Sequence, residues 1–235
     1  MSDPGTTRFP DARLLIFAKA PVSGQVKSRL VPDIGKQAAT ELHRLMTLNT
    51  VAMAVDSGVC PVELWCSPDP SDDFFQTVVQ RFPVTLRTQQ GSDLGERMFH
   101  AASCALQEVN NVIIIGSDCL QITNDYLVMA TAYLSKQSVE CVVAPAYDGG
   151  YVLIGVNRID RRLFQNVAWG TGDVMKQTQD ALKQLQWRWA ELPTLRDTDV
   201  KTDLLHMLSN RDQYRPDPGI DSLLQDIISG QQPKV

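Results

Sequence analysis

The sequence lacks several features that would place a chain quickly. It has no C-x-x-C pair, and its five cysteines (Cys60, Cys66, Cys104, Cys119 and Cys141) are odd in number and mostly set in apolar runs. Cysteine in that setting behaves as a small hydrophobe. Neither a disulfide framework nor a zinc site is expected, and a cytoplasmic, reducing location suits the chain. Histidine is scarce: His43, His100 and His206 stand far apart, which excludes an H-x-x-x-H metal motif. Positive charge is not in excess. Lys and Arg total 22 against 27 Asp and Glu, a net charge of −5, and the isoelectric point is near 5.2. Nucleic acid is therefore not an expected partner. The first dozen residues are polar and the apolar runs are strand-sized, so neither a signal peptide nor a membrane span is expected.

What is present is an ordinary globular composition, 43% hydrophobic and 21% charged over 235 residues. That length suits one large α/β domain spanning residues 1–235, with a core at about 13–210 and loose ends at 1–7 and 231–235. Short apolar runs alternate with segments of helical period, which predicts a mostly parallel sheet flanked by helices. Strands are expected at 14–18, 62–66, 84–87, 112–115, 141–144, 151–154 and 187–192. The 112–115 run, Val-Ile-Ile-Ile, reads as the strand buried on both faces. Helices are expected across Ala38 to Met53, at 71–80, from Asp93 with Leu94, Met98, Ala101, Ala102 and Ala105 inward, at 123–133, 174–185, 200–208 and 221–228.

In an open α/β sheet, ligands bind beyond the carboxyl ends of the strands, and three loops there carry the candidate chemistry. After the first strand, residues 17–30 read FAKAPVSGQVKSRL, where Lys19, Lys27 and Arg29 can neutralise a phosphate chain and Gly24 lets backbone N–H groups approach it. A solvated basic loop fits these residues equally well. After the buried strand comes Gly116-Ser117-Asp118-Cys119, which mounts a carboxylate on a rigid element; an Asp there is also a common turn residue. The third loop holds Asp197-Thr198-Asp199, spaced so that both side chains can reach one hard cation, although Asp199 would serve as well to cap the helix after it. Asp148-Gly149-Gly150-Tyr151 suits either a hairpin turn or bare backbone for an acceptor. Near it in function, Trp169 would wall a pocket and Thr171 would cap the next helix.

Six segments in order resemble one bacterial family: FAKAPVSGQVKSRL, GSDLGERM (91–98), IIIGSDC (113–119), PAYDGGYVLIG (145–155), WGT (169–171) and DTDVKTDL (197–204). It is the small glycosyltransferase-like family of the nucleotide-diphospho-sugar transferase superfamily, some members of which are linked to arsenosugar biosynthesis. The chain is more distantly similar to the phospholactate and phosphoenolpyruvate guanylyltransferases. The resemblance implies a Rossmann-like fold of the glycosyltransferase-A type and a magnesium or manganese cofactor. By that likeness Lys19, Pro21, Gly24, Lys27 and Arg29 bind the nucleotide's phosphates, and Gly91, Leu94 and Gly95 line the base pocket. Asp118 is implied as principal metal ligand with Asp197 and Asp199, while Asp118, Lys19 and Lys27 carry catalysis. Asp148, Gly149, Gly150, Tyr151, Trp169 and Thr171 would face the acceptor. The chain departs from the family at Leu120, where proline is usual, and at Ser28, where threonine is commoner; neither change removes a charge or an implied ligand.

The function implied is a cation-dependent transferase, moving a sugar from a nucleotide-diphospho-sugar to a small acceptor. The basic first loop also suits a nucleotidyltransferase that moves a nucleotidyl group from a nucleoside triphosphate to a small phosphorylated acceptor. A nucleotide-sensing module without turnover is the third reading; its binding would survive loss of Asp118 or Asp197. Exposed helices are compatible with a homodimer.

Overall fold

A computed structural model describes residues 7–214 and 216–229; apart from Thr7, the ends expected to be loose lie outside the described residues. The apolar runs become β1 (Ala12–Lys19), β2 (Val62–Ser67), β3 (Thr85–Thr88), β4 (Asn111–Gly116), β5 (Cys141–Pro145), β6 (Tyr151–Val156) and β7 (Trp189–Glu191). They form one sheet in the order β3-β2-β1-β4-β6-β5-β7. β3, β2, β1 and β4 are mutually parallel. β6 is antiparallel to both β4 and β5, and β7 is parallel to β5. The α/β sheet expected from the alternation is present.

The helices are α1 (Val31–Asp56), α2 (Asp73–Arg81), α3 (Leu94–Ala105), α4 (Asn124–Ser135), α5 (Val174–Gln184), α6 (Lys201–Ser209), α7 (Arg211–Tyr214) and α8 (Pro218–Ser229). Their starts follow local chemistry. The side chains of Asp72, Asp93 and Thr123 accept the first free N–H groups of α2, α3 and α4. α1 is interrupted at Gly35, where the backbone leaves the helical region.

The sheet is buried on both faces because crossover helices lie on each side. Leu14, Ile16, Ile113, Ile115 and Ala144 point toward α1 and α4, while Leu15, Val112, Ile114, Val143 and Ile154 point toward α3 and α5. Successive residues of β4 therefore feed opposite layers, which explains its unbroken β-branched run. A third apolar cluster joins the outer side of α1, through Leu42 and Met46, to α6, α7 and α8, through Met207, Tyr214 and Leu224.

Three local expectations need correction. Leu94 is exposed rather than inward, because α3 turns that residue past the edge of its buried stripe. Thr171 does not cap α5. Its hydroxyl donates to the Ala168 carbonyl, and Asp173 occupies the cap position without a side-chain bond. Nor does Asp199 cap α6. The Asp203 carboxylate reaches back to accept N–H from Asp199 at 3.1 Å and Val200 at 3.0 Å, and it pairs with Arg196 at 3.0 Å. Asp203 thus fixes residues 196–200 and leaves the Asp199 side chain free of capping.

Two stability changes follow. Ile113→Ala should lower the unfolding free energy by about 3 kcal/mol, since it opens a cavity at a fully buried strand centre. Asp203→Ala should cost about 1–3 kcal/mol by leaving N–H groups and Arg196 without their acceptor. Urea titration followed by circular dichroism measures both. A change under about 0.5 kcal/mol, the range of neutral surface substitutions, would contradict either assignment.

Candidate active site

From β1 the chain moves outward to β2 and then β3, and later returns to place β4 on the other flank of β1. The carboxyl ends of β1 and β4 therefore diverge, and their loops part at a topological switch point. A cavity of 630 Å³ opens there. Its wall brings together Lys19, Lys27, Arg29, Asp118, Asp197 and Asp199, residues separated by as much as 180 positions in the chain.

α1 holds the two strand ends in register. His43 Nε2 lies 2.9 Å from the backbone carbonyl of Lys19, the last residue of β1. Burial lowers the proton affinity of this imidazole, so a neutral ring donates its N–H to that carbonyl. One turn along, Thr47 Oγ1 lies 3.2 Å from Ser117 Oγ, just beyond β4. The loop that follows Lys19 then folds back so that Lys27 sits in a left-handed backbone conformation, φ 45°. This is uncommon for a residue with a side chain and is sustained only where surroundings fix it.

Those surroundings are carboxylates. The Lys27 side chain is only 5% exposed, and its ammonium lies 3.2 Å from Asp118 Oδ2 and 3.8 Å from Asp199 Oδ1. Arg29 pairs with the other oxygen of Asp199 at 3.0 Å. The Thr198 N–H donates to the backbone carbonyl of Asp118 at 3.0 Å, which stitches residues 197–199 beside the end of β4. Asp118 lies deep among protein atoms yet keeps 40% of its side-chain surface open to the cavity. Burial would push its carboxyl up, but the Lys27 ammonium outweighs that and holds it below the usual carboxylate range.

Asp197 is the counterpart. Its burial, together with the charges of Asp118 and Asp148, pushes its carboxyl up to about 7. Lys27 and Arg29 pair with Asp118 and Asp199, whereas among the described residues no ion pair reaches Asp197. Among the described residues no three Asp, Glu, His or Cys side chains stand close enough to hold an ion as they lie. The Lys27 ammonium occupies the space between two of the candidate ligands.

The remaining candidate residues divide. Leu94 and Tyr151 line the cavity. Pro21 and Gly24, in the outer part of the basic loop, do not, and neither do Gly91 and Gly95. Gly95 serves packing: a Cβ there would come within 2.8 Å of the Trp169 ring. Gly91 stands before α3 and accepts a hydrogen bond from Arg97 Nε at 3.1 Å. Asp148, Gly149, Gly150, Trp169 and Thr171 also lie off the wall, but they form one unit. Gly149, at φ 90°, meets the Gly172 backbone with no room for a Cβ, and its carbonyl accepts from the Met175 N–H at 2.9 Å. Trp169 stands edge-on to Tyr151, with ring centroids 6.3 Å apart. The two segments expected to face an acceptor are therefore packed together beside Tyr151.

Arg97, Gln89 and His43, none of them a candidate by sequence, line the cavity as well. Arg97 lies inside the GSDLGERM segment, so its position offered a signal. Gln89 donates from Nε2 to the carbonyls of Trp65 and Ala18, at 2.8 and 3.3 Å, near the ends of β2 and β1. His43 offered no local signal; only the packing of α1 brings it to the site.

With this geometry in hand, likenesses to known proteins become specific. A crystal structure from Desulfovibrio desulfuricans G20, provisionally described as a nucleotide-diphospho-sugar transferase, is 26% identical, covers 96% of this chain and 100% of its own, and superposes with a TM-score of 0.82. A cytidylyltransferase from Leptospira borgpetersenii serovar Hardjo-bovis is 16% identical over 96% of this chain and 99% of its own, with a TM-score of 0.54. A nucleotidyl transferase from Methanothermobacter thermautotrophicus is 12% identical over 87% of this chain and 97% of its own, with a TM-score of 0.58. At those lower identities the likeness is one of fold. No curated protein matches the chain. The named activities of these neighbours are transferase activities, in line with the transferase expected from the sequence. A family profile matches residues 50–171, just over half of the sequence, and the chain belongs to that family, described as "Uncharacterized protein conserved in bacteria (DUF2064)".

Proposed function

We propose that this chain is a divalent-cation-dependent transferase that takes a nucleotide-diphospho-sugar and passes the sugar to a small acceptor. The observation that carries this reading is the meeting of Lys19, Lys27 and Arg29 with Asp118, Asp197 and Asp199 around one cavity at the switch point. Such a cavity suits a diphosphate. Its cations would pair with phosphate oxygens, and its carboxylates would hold a divalent metal that supplies further positive charge.

The donor set fits magnesium or manganese. All three candidate ligands are carboxylates, hard oxygen donors of the kind these ions prefer, and all three line the same cavity. Asp118, Asp197 and Asp199 would hold the ion, which would offset charge building on the leaving phosphate. Lys19 and Arg29 would bind the phosphates from the loop side, and Lys27 would exchange its carboxylate partners for a phosphate oxygen. The packed unit of Asp148, Gly149 and Trp169 would present the acceptor beside Tyr151. The 26%-identical neighbour described as a nucleotide-diphospho-sugar transferase supports this reading.

A nucleotidyltransferase is the second reading. It is favoured by the number of cations at the wall, since Arg97 joins Lys19, Lys27 and Arg29, and a triphosphate carries more charge than a diphosphate. The two reactions leave different products. Incubation of the purified chain with magnesium and a panel of small hydroxylated and phosphorylated acceptors should release free nucleoside diphosphate from nucleotide-sugars and no pyrophosphate from nucleoside triphosphates. Release of pyrophosphate instead would replace sugar transfer by nucleotidyl transfer. Asp118→Asn should lower turnover about a hundredfold or more, and chelation of divalent cations should abolish it. Nucleotide binding that persists in Asp118→Asn and Asp197→Asn, with no turnover by the wild type, would instead leave a sensing module.

A further inference from the structure

The carboxylates read as metal ligands already have a cation. Lys27 enters from a strained left-handed turn, buries nearly its whole side chain, and sets its ammonium within 3.2 Å of Asp118 and 3.8 Å of Asp199. A divalent ion held by those same oxygens and an ammonium at that distance would repel each other strongly, so both do not share the site. Lysine is suited to leaving, because its charge is a point at the end of a flexible four-carbon stem. What it needs is another anion within reach.

We propose that Lys27 is a resident counter-ion that keeps the cation site closed until a phosphate-bearing ligand draws it away, so that divalent cation and nucleotide bind as a coupled pair. This rests on the transferase reading above and adds an order to it. Without nucleotide, a metal must displace the ammonium and leave it buried without a partner, which is costly. With nucleotide, the phosphate receives Lys27 and the vacated carboxylates receive the metal. By linkage each ligand then raises the affinity of the other by the same factor. Arg29 moves with the same logic, since its Asp199 contact is 60% exposed on the arginine side and is broken at little cost. An ordinary structural ion pair makes the opposite forecast: removing Lys27 would loosen the loop and leave cation affinity unimproved.

Manganese titrations of the full-length protein without nucleotide separate the two, with electron paramagnetic resonance reporting the free aquo ion. The variants are Lys27→Met and Lys27→Asn; asparagine tolerates the left-handed backbone, which guards against a folding defect. Both variants should bind one manganese at least about fivefold more tightly than the wild type, within the usual range of coupling energies. The gain should vanish in Lys27→Met combined with Asp118→Asn. A gain below about fivefold in both variants, or one that survives loss of Asp118, would overturn the proposal. Magnesium-dependent nucleotide binding by the wild type is measured alongside by calorimetry. If that binding is present while the variants gain nothing, the counter-ion role falls and the transferase reading stands.

Discussion

Charge balance at the carboxyl end of β4 is the constraint on which the site depends. Three aspartates are gathered into one concave region, and the protein's own neutralising charge comes from Lys27, held in a buried position and a strained backbone, and from Arg29. Without those cations the Asp118 and Asp199 carboxylates would face one another unneutralised, and their repulsion would favour protonated carboxyls. Negative charge is thus concentrated. That is a poor arrangement for stability alone and a good one for receiving a cation with a charged ligand.

The fold supplies the geometry through inexpensive devices. β1 and β4 are neighbours in register, Leu14 beside Ile113 and Ile16 beside Ile115, so their ends emerge side by side. α1 crosses beneath both and ties one to each of two polar side chains, His43 and Thr47. Asp203 secures the third loop from behind by taking the capping role, which leaves Asp199 for Arg29 and Lys27. Beside Tyr151, the close approach of Gly149 and Gly172 packs two separate segments against each other. The first two devices tie the site's loops to the buried sheet and to the helices that flank it.

Much of this was legible in the residues. The alternation of apolar runs and helical periods gave the sheet, and the β-branched run of β4 identified its doubly buried strand. The basic loop, the strand-end Asp118 and the Asp197/Asp199 pair were visible because loops at strand ends carry the chemistry in such sheets. What stayed hidden depends on three-dimensional approach. His43 looks like an isolated histidine until α1 packs on the sheet. Leu94 fits a helical stripe by spacing, yet the helix edge exposes it. Thr171 and Asp199 are good capping residues by type, but neighbours three or four residues away, not propensity, decide which side chain reaches a free N–H. Gly95 reads as room for a ligand, whereas its missing side chain is filled by Trp169.

The most direct measurement is a crystal structure of the protein grown with magnesium and a nucleotide-diphospho-sugar. The account predicts the diphosphate in the cavity between β1 and β4, contacted by Lys19, Lys27 and Arg29, with an ion on Asp118 and the residue 197–199 segment. A diphosphate bound elsewhere on the molecule, or one bound here while the Lys27 ammonium stays between Asp118 and Asp199 with no ion beside them, would contradict it.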